Sequence, residues 1–197
     1  MPYDSLSEQS LTTLRDLADR IEADPTLSAS CRRDLALLLQ AREALMRRAL
    51  VDGKITRKHA VDLRTAAAVA ILLFAPVRLS NLAAIELGRH LRLPRRTNEP
   101  AYLHFEEHEV KNRVALDFEL PPPVVRAIST YLERGRPQLM DVADPHLFYK
   151  GSGRLRACAL AHWIRQRLRD VTGLRVDAHL LRQLSAKFLS RRESRPT

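Results

Sequence analysis

A histidine and an arginine one helical turn apart are the residues near the end of the chain that could do chemistry. His179 and Arg182 stand three positions apart and follow Asp177. Asp177 is a favourable N-cap residue, so both side chains are expected on one face of a helix at its first turn. That end of a helix carries partial positive charge and free N–H groups, which suit a phosphate. The spacing therefore predicts an anion-binding site. The alternative is an ordinary helix cap with a histidine and an arginine on the surface.

A further cation, Arg78, follows an almost continuous apolar run. Residues 66–75 are all alanine, valine, isoleucine, leucine or phenylalanine, and Pro76 comes directly after them. Proline lacks an N–H and disfavours helix at the residue before it, so a buried helix should stop there. Ser80 or Asn81 is then expected to cap a second helix. We therefore expect Arg78 to lie in the junction between the two helices. The alternative is that Arg78 is an ordinary surface arginine.

Between these residues the pattern predicts an antiparallel hairpin with strands over 102–105 and 114–120. The second strand alternates, so its apolar residues should share one face. Those residues are Val114, Leu116, Phe118 and Leu120. Lys111 is expected at the start of this strand, with Asn112 suited to a turn. The alternative for Lys111 is an edge-strand lysine that discourages aggregation.

Helical spacing of apolar residues accounts for most of the remaining chain. The helical segments are 7–24, 35–50, 124–132 and 160–171, and Trp163 in the last of them is expected in the core. The predicted fold class is therefore mainly α with a small antiparallel β-hairpin or sheet (α+β). We expect a helical appendage over 1–55, one main domain over 56–190 and a polar tail over 191–197.

Charge restricts the partners of the chain. Its 33 lysines and arginines exceed its 23 aspartates and glutamates by 10, which favours a polyanion and nucleic acid first. The apolar run is about half of the ~20 residues that a membrane span requires, and the first residues lack an apolar signal segment. Cys31 and Cys158 have no metal-ligand spacing and are expected to be reduced and buried in a cytoplasmic protein. No cofactor or metal is expected.

Four residues, taken in chain order, resemble the active-site series of the tyrosine recombinases, the phage-integrase family. They are Arg78, Lys111, His179 and Arg182. In that family an arginine follows a hydrophobic helix in a Gly-x-Arg-x-x-Glu-Leu motif, a lysine lies on a β-hairpin, and a His-x-x-Arg motif opens a later helix. The corresponding segments here are Pro76-Val77-Arg78-Leu79-Ser80-Asn81-Leu82, Glu109-Val110-Lys111-Asn112-Arg113 and His179-Leu180-Leu181-Arg182. The resemblance covers about residues 57–189 and implies the fold of that family's catalytic domain.

The resemblance implies DNA strand transfer, the chemistry of DNA integration and recombination. Arg78 and Arg182 would hold the nonbridging oxygens of a phosphodiester through the transition state. Lys111 would act as general acid toward the departing 5′-oxygen, and His179 would assist proton transfer. Double-stranded DNA and other recombinase subunits are the implied partners. In the family, a tyrosine forms the covalent 3′-phosphotyrosyl link.

That tyrosine has no counterpart in this sequence. All four tyrosines precede Arg182: Tyr3, Tyr102, Tyr131 and Tyr149. Pro76, Asn81 and Gln183 also stand where the family has a glycine, a glutamate and commonly a histidine. We therefore expect an integrase-like domain over 56–190, incomplete at its C-terminus, that binds DNA and is inactive alone. The alternatives are a site completed by a tyrosine from another chain, and a non-catalytic basic DNA-binding adaptor.

Overall fold

The computed structural model describes residue 23 and residues 29–51, 53–96, 99–141, 143–150 and 153–189. The helices are α1 (Ala29–Leu50), α2 (Arg57–Phe74), α3 (Leu79–Ala83), α4 (Pro122–Thr130), α5 (Ala157–Thr172) and α6 (Ala178–Leu189). The strands are β1 (Leu91–Arg92), β2 (Ala101–Phe105), β3 (Leu116–Leu120), β4 (Tyr149–Lys150) and β5 (Gly153–Arg154). A mainly helical fold with a small antiparallel sheet, as predicted, is confirmed. The predicted helix over 7–24, apart from residue 23, and the tail over 191–197 lie outside the described residues.

Helix α2 is the centre of the core, and every residue from Ala60 to Leu73 is buried. Its alanine-rich sequence favours helix and lets neighbouring helices approach closely. Thr56 caps its start, because the Thr56 hydroxyl accepts from the His59 N–H while His59 Nδ1 accepts from the Thr56 N–H, both at 3.4 Å. Helix α1 contributes buried side chains to the same core. Across the described residues, no helix combines the length and apolar character needed to cross a membrane.

The buried helix ends at the predicted place. Ala75 is extended, with φ −135° and ψ 107°, and its N–H still donates to the Ile71 carbonyl at 2.7 Å. Pro76 then separates α2 from the short helix α3, which begins one residue after Arg78. Arg78 therefore occupies the junction between the two helices.

The prediction that Ser80 or Asn81 caps the second helix is wrong. Arg78 is the N-cap residue, with φ −66° and ψ 151°, and it makes no side-chain capping hydrogen bond. The Asn81 side chain has a tertiary partner instead, because its Nδ2 donates to the Glu109 carbonyl at 3.1 Å. That contact joins α3 to the segment that connects β2 and β3.

The predicted hairpin is confirmed, and β1 extends it to a three-stranded sheet of order β1-β2-β3. Strand β2 pairs with β3 in antiparallel register, with Leu103 opposite Phe118. The start of the second strand was misplaced, because β3 begins at Leu116. Val114 lies before it and is 57% exposed, so it does not share the apolar face. A 3₁₀ turn over Glu107–Glu109 and a turn over 111–113 precede β3, so Lys111 lies in that turn and not at the start of the strand.

The prediction that Cys158 is buried is wrong, because this residue is exposed on helix α5. The buried stripe of this helix is Leu160, Ile164 and Leu168, spaced at one helical face. Cys158 lies two positions before this stripe, which places it about 200° around the helix, and its side chain is exposed. Trp163 packs against the core, as predicted. The Cys31 side chain lies outside the described part of the chain.

Candidate phosphate-binding site

One cavity of about 240 Å³ lies where the starts of α3 and α6 meet the middle of α5. We call it the arginine cavity and define it by its lining residues. They are Val77, Arg78, Leu79, Ala161, Arg165, Asp177, Ala178, His179 and Arg182. The cavity therefore has an apolar floor from small and aliphatic side chains and several cationic groups at its walls.

Three of the residues singled out in the sequence line this cavity, namely Arg78, His179 and Arg182. Lys111 does not. It is exposed and lies in the turn between the 3₁₀ segment and β3. The structure thus brings together residues from the first and third motifs and leaves the lysine of the second outside the cavity.

The start of α6 positions Arg182. The Asp177 carboxylate accepts the Leu180 N–H at 2.9 Å, which caps the helix as the sequence predicts. Leu181 is fully buried and fixes the rotation of the helix against the core. Arg182 Nε then donates to the Pro76 carbonyl at 2.9 Å across 106 positions of sequence. This hydrogen bond uses one N–H group of the guanidinium and leaves its two terminal nitrogens for a ligand.

Arg78 reaches the cavity because of the extended backbone that precedes α3. It is half-buried, and within the described ranges it makes no hydrogen bond or ion pair with another side chain. It therefore presents a positive charge that no acidic side chain of the described residues pairs. This is the arrangement expected of a group that pairs with an external anion.

Arg165 is a cationic residue of the cavity that the sequence analysis missed. Arg165 directly follows Ile164 of the buried stripe of α5, so it is exposed on the face beside that stripe, where Ala161 one turn earlier also lines the cavity. Helical periodicity alone could have assigned Arg165 to that face. It could not have shown that the starts of α3 and α6 lie beside it.

The electrostatic balance of the arginine cavity favours an anion. Three guanidiniums line it, and Asp177 is the acidic residue among its lining side chains. One oxygen of that carboxylate is engaged by the α6 backbone. His179 adds a group that can carry a proton, and its Nε2 lies 3.1 Å from the Gln183 amide nitrogen. The start of α6 adds the positive end of a helix dipole.

A second cavity, of about 250 Å³, lies beside the other face of α3 and includes Asn81, His90 and Glu109. Glu109 Oε1 accepts from Arg89 Nη2 at 2.6 Å and lies 2.9 Å from His90 Nε2. Desolvation pushes the pKa of Glu109 upward, but the hydrogen bond with His90 and the nearby positive charges hold it below its usual value. Glu109 therefore remains an anion whose carboxylate ties the turn before Lys111 to the segment just before β1.

No tyrosine of the described residues lines the arginine cavity. Tyr131 and Tyr149 are buried in the core, while Tyr102 is 54% exposed on β2. Tyr3 lies outside the described part of the chain.

Comparisons with protein-family models and with curated proteins find no relative of this chain. No protein-family model matches the chain, and no curated protein is significantly similar to it. What the arginine cavity binds must therefore follow from its own residues.

Proposed function

We propose that this chain is an integrase-like DNA-binding protein whose arginine cavity holds a phosphate of the DNA backbone. The observation that carries the proposal is the meeting of Arg78, His179 and Arg182 in one cavity from widely separated segments. Arg78 brings a guanidinium that no side chain of the described residues pairs, and Arg182, which lines the same cavity, is held by its hydrogen bond to the Pro76 carbonyl. Guanidiniums bind phosphate oxygens through paired N–H donors, which makes a DNA phosphate the best-matched ligand.

The order of elements also supports a fold like that of the tyrosine-recombinase catalytic domain. A buried helix precedes the first arginine, a three-stranded sheet follows, and a helix opening with His-x-x-Arg comes last. The net charge of +10 provides the long-range attraction that brings a polyanion to such a site. Lys111 differs from the corresponding lysine of the recombinase family, because it does not line the arginine cavity.

The proposed activity is binding without strand cleavage by this chain alone. A recombinase-type reaction needs a nucleophile at the phosphorus. The tyrosines of the described core are buried away from the cavity or lie on the sheet. Within the described residues, the cavity therefore offers phosphate recognition without a tyrosine that could form the covalent bond.

Fluorescence anisotropy with a labelled duplex tests the binding proposal. Arg78→Gln removes a guanidinium without a protein partner, so affinity should fall at least about tenfold, as expected when a charge-assisted contact is lost. Arg95→Gln is the matched control, because Arg95 is exposed on a loop away from the cavity. The wild-type affinity should also fall with salt, with a log–log slope of about −0.9 per phosphate contacted.

Equal losses from the two variants would contradict the proposal and favour a basic adaptor that binds through its general charge. A salt-independent affinity would contradict DNA binding itself.

A second candidate function is a recombinase site completed by a tyrosine from another chain. His179 favours this candidate, because a site that only binds phosphate needs no group to transfer a proton. A nicked suicide duplex, incubated with this chain alone or with a tyrosine-bearing partner recombinase, separates the two candidates. A covalent protein–DNA adduct that forms with the partner and is lost on His179→Ala supports the completed site. An adduct formed by this chain alone would contradict both candidates.

A further inference from the structure

The arginine cavity holds one more guanidinium than the resemblance to the recombinases requires. Arg165 comes from α5, whereas Arg78 and Arg182 come from the junction and from α6. Neither Arg78 nor Arg165 has a hydrogen bond or ion pair with another side chain in the part of the chain that the structure describes. The cavity therefore carries more positive charge than one phosphodiester, with its single negative charge, can pair.

The acidic groups near the cavity do not remove this excess. Asp177 lines the cavity, but its carboxylate accepts the Leu180 N–H at the start of α6. Asp170, the acidic residue of α5, contacts Arg167 at 3.1 Å and not Arg165. Three guanidiniums against one engaged carboxylate leave about two positive charges for a ligand, before any contribution from His179 or the helix dipole.

A terminal phosphate supplies that second negative charge. A phosphomonoester carries a charge between about −1.5 and −2 near neutral pH and offers three terminal oxygens, whereas an internal diester offers two nonbridging oxygens. Each of three guanidiniums can then face an oxygen of its own. Val77, Leu79 and Ala161 add apolar lining to the same cavity.

We propose that the arginine cavity binds the terminal phosphate of a DNA strand, at a nick or an end, and that Arg165 pairs its second negative charge. This inference rests on the proposed DNA-binding function and names the kind of phosphate that the same site prefers. Because no tyrosine of the described residues lines the cavity, the cavity could recognise such an end without reacting with it.

The test is competition binding with nicked duplexes of one sequence. The nick carries a 5′-phosphate, a 3′-phosphate, the methyl ester of either phosphate, which keeps the shape and removes one charge, or a hydroxyl on both sides. The wild-type chain should bind one of the phosphate-ended duplexes about tenfold tighter than the hydroxyl and methyl-ester duplexes. Arg165→Gln should reduce this preference to about twofold or less.

Arg169→Gln is the matched control, because Arg169 is exposed one turn further along α5 and does not line the cavity. This variant should keep the preference. Equal wild-type affinity for the phosphate and its methyl ester would overturn the inference, as would a preference that survives in Arg165→Gln. Competition by a nucleoside monophosphate as strong as that of the phosphate-ended duplex would also overturn it, by assigning the cavity to free phosphomonoesters. Failure to bind any duplex would instead overturn the proposed function.

Discussion

The molecule contains two groups of arginines that differ in what surrounds the guanidinium. One is the buried arginine network, which we define as Arg48, Asp62, Arg64, Trp163 and Arg167. The other lines the arginine cavity. In the network, a carboxylate, a carbonyl and an aromatic ring contact the guanidiniums. In the cavity, N–H groups of the guanidiniums have no partner among the described residues.

Asp62 is the anion of the network and is fully buried on α2. Arg48 binds it through two hydrogen bonds of 2.8 Å, one from Nε and one from Nη2. Arg167 Nε lies 3.2 Å from the same carboxylate as an ion pair without hydrogen-bond alignment. Asp62 therefore connects α1 to α5 through the central helix.

Arg64 lies in the same network without a carboxylate. It is 1% exposed, its Nη1 donates to the Tyr149 carbonyl at 3.4 Å, and its Nε and Nη2 find no partner in the described core. Trp163 lies between two cations, with Arg64 5.7 Å and Arg167 5.4 Å from its ring centroid. Burial lowers the pKa of Arg64 to about 10.

The comparison shows that a guanidinium in this protein is not by itself a sign of a nucleic-acid site. The arginines of the network are inaccessible or engaged, and they hold helices together. The arginines of the cavity are accessible, and they outnumber the acidic side chains that line it. We expect the arginines of the network to govern stability and the arginines of the cavity to govern binding.

The largest effect is expected for Asp62→Asn. The substitution keeps the shape of the side chain but leaves Arg48 and Arg167 without their buried counter-charge, which should lower the free energy of unfolding by about 3 kcal/mol. Urea unfolding measures this loss. Asp170→Asn is the control, because its exposed pair with Arg167 should contribute less than about 1 kcal/mol. A loss of the same size in both variants would show that Asp62 does not hold the network together.

Arg64→Met should be neutral or raise the free energy of unfolding by about 1 kcal/mol at neutral pH. It replaces a buried charge that lacks an anion with an apolar side chain of similar length, and such replacements are often stabilising. The same urea measurement applies. A destabilisation of more than about 1 kcal/mol would mean that the contacts with Trp163 and the Tyr149 carbonyl outweigh the cost of burying the charge.

Alkaline pH gives a second measurement on the same variant. Because the folded-state pKa of Arg64 is depressed, the unfolded chain binds more protons above about pH 10, and this residue adds stability as pH rises. Tyr131 acts in the opposite direction, since burial raises its pKa to about 12 and its contribution is lost as pH rises toward that value. Stability between about pH 10 and 12 should therefore fall more steeply in Arg64→Met than in the wild type.

An intermediate effect should separate Arg182 from Arg78. Arg182→Gln loses the hydrogen bond to the Pro76 carbonyl and should lower stability by about 1 kcal/mol, while Arg78→Gln should change it by less than about 0.5 kcal/mol. Thermal unfolding measures both, and DNA affinity should fall in both. Unchanged stability of Arg182→Gln would mean that water replaces this hydrogen bond without loss.

The smallest effect is expected for Lys111→Ala. Lys111 is exposed outside the arginine cavity, so DNA affinity should fall by less than about threefold, far less than in Arg78→Gln. Anisotropy titration at one salt concentration compares the two variants. A tenfold loss for Lys111→Ala would place its ammonium group at the bound phosphate and require the β2–β3 turn to move toward α3.

Local residue chemistry accounts for the parts of the fold that were predicted correctly. Pro76 ends the buried helix because it lacks an N–H, and Asp177 starts α6 because its carboxylate accepts a backbone N–H. Alternation of polar and apolar residues is enough to identify β3, although not its first residue. These signals act over a few positions, so they can be recognised without knowing the rest of the molecule.

Contacts between distant segments account for what the sequence did not predict. Asn81 would be a good helix cap, yet its side chain donates to the Glu109 carbonyl, 28 positions away in the β2–β3 connection. Lys111 follows a 3₁₀ turn whose position depends on that contact, and Arg165 borders the cavity because α5 packs beside α3.

The amino-acid order was therefore sufficient for the end of α2, the start of α6, the alternation of β3 and the charge of the chain, and it singled out three of the residues that line the arginine cavity. Only the folded structure decided which cations face an open cavity and which are enclosed by partners, as Arg165 and Arg64 show. The physical reason is that the backbone conformation at a residue depends mainly on its neighbours in sequence. The surroundings of a charged side chain depend on how the whole core packs.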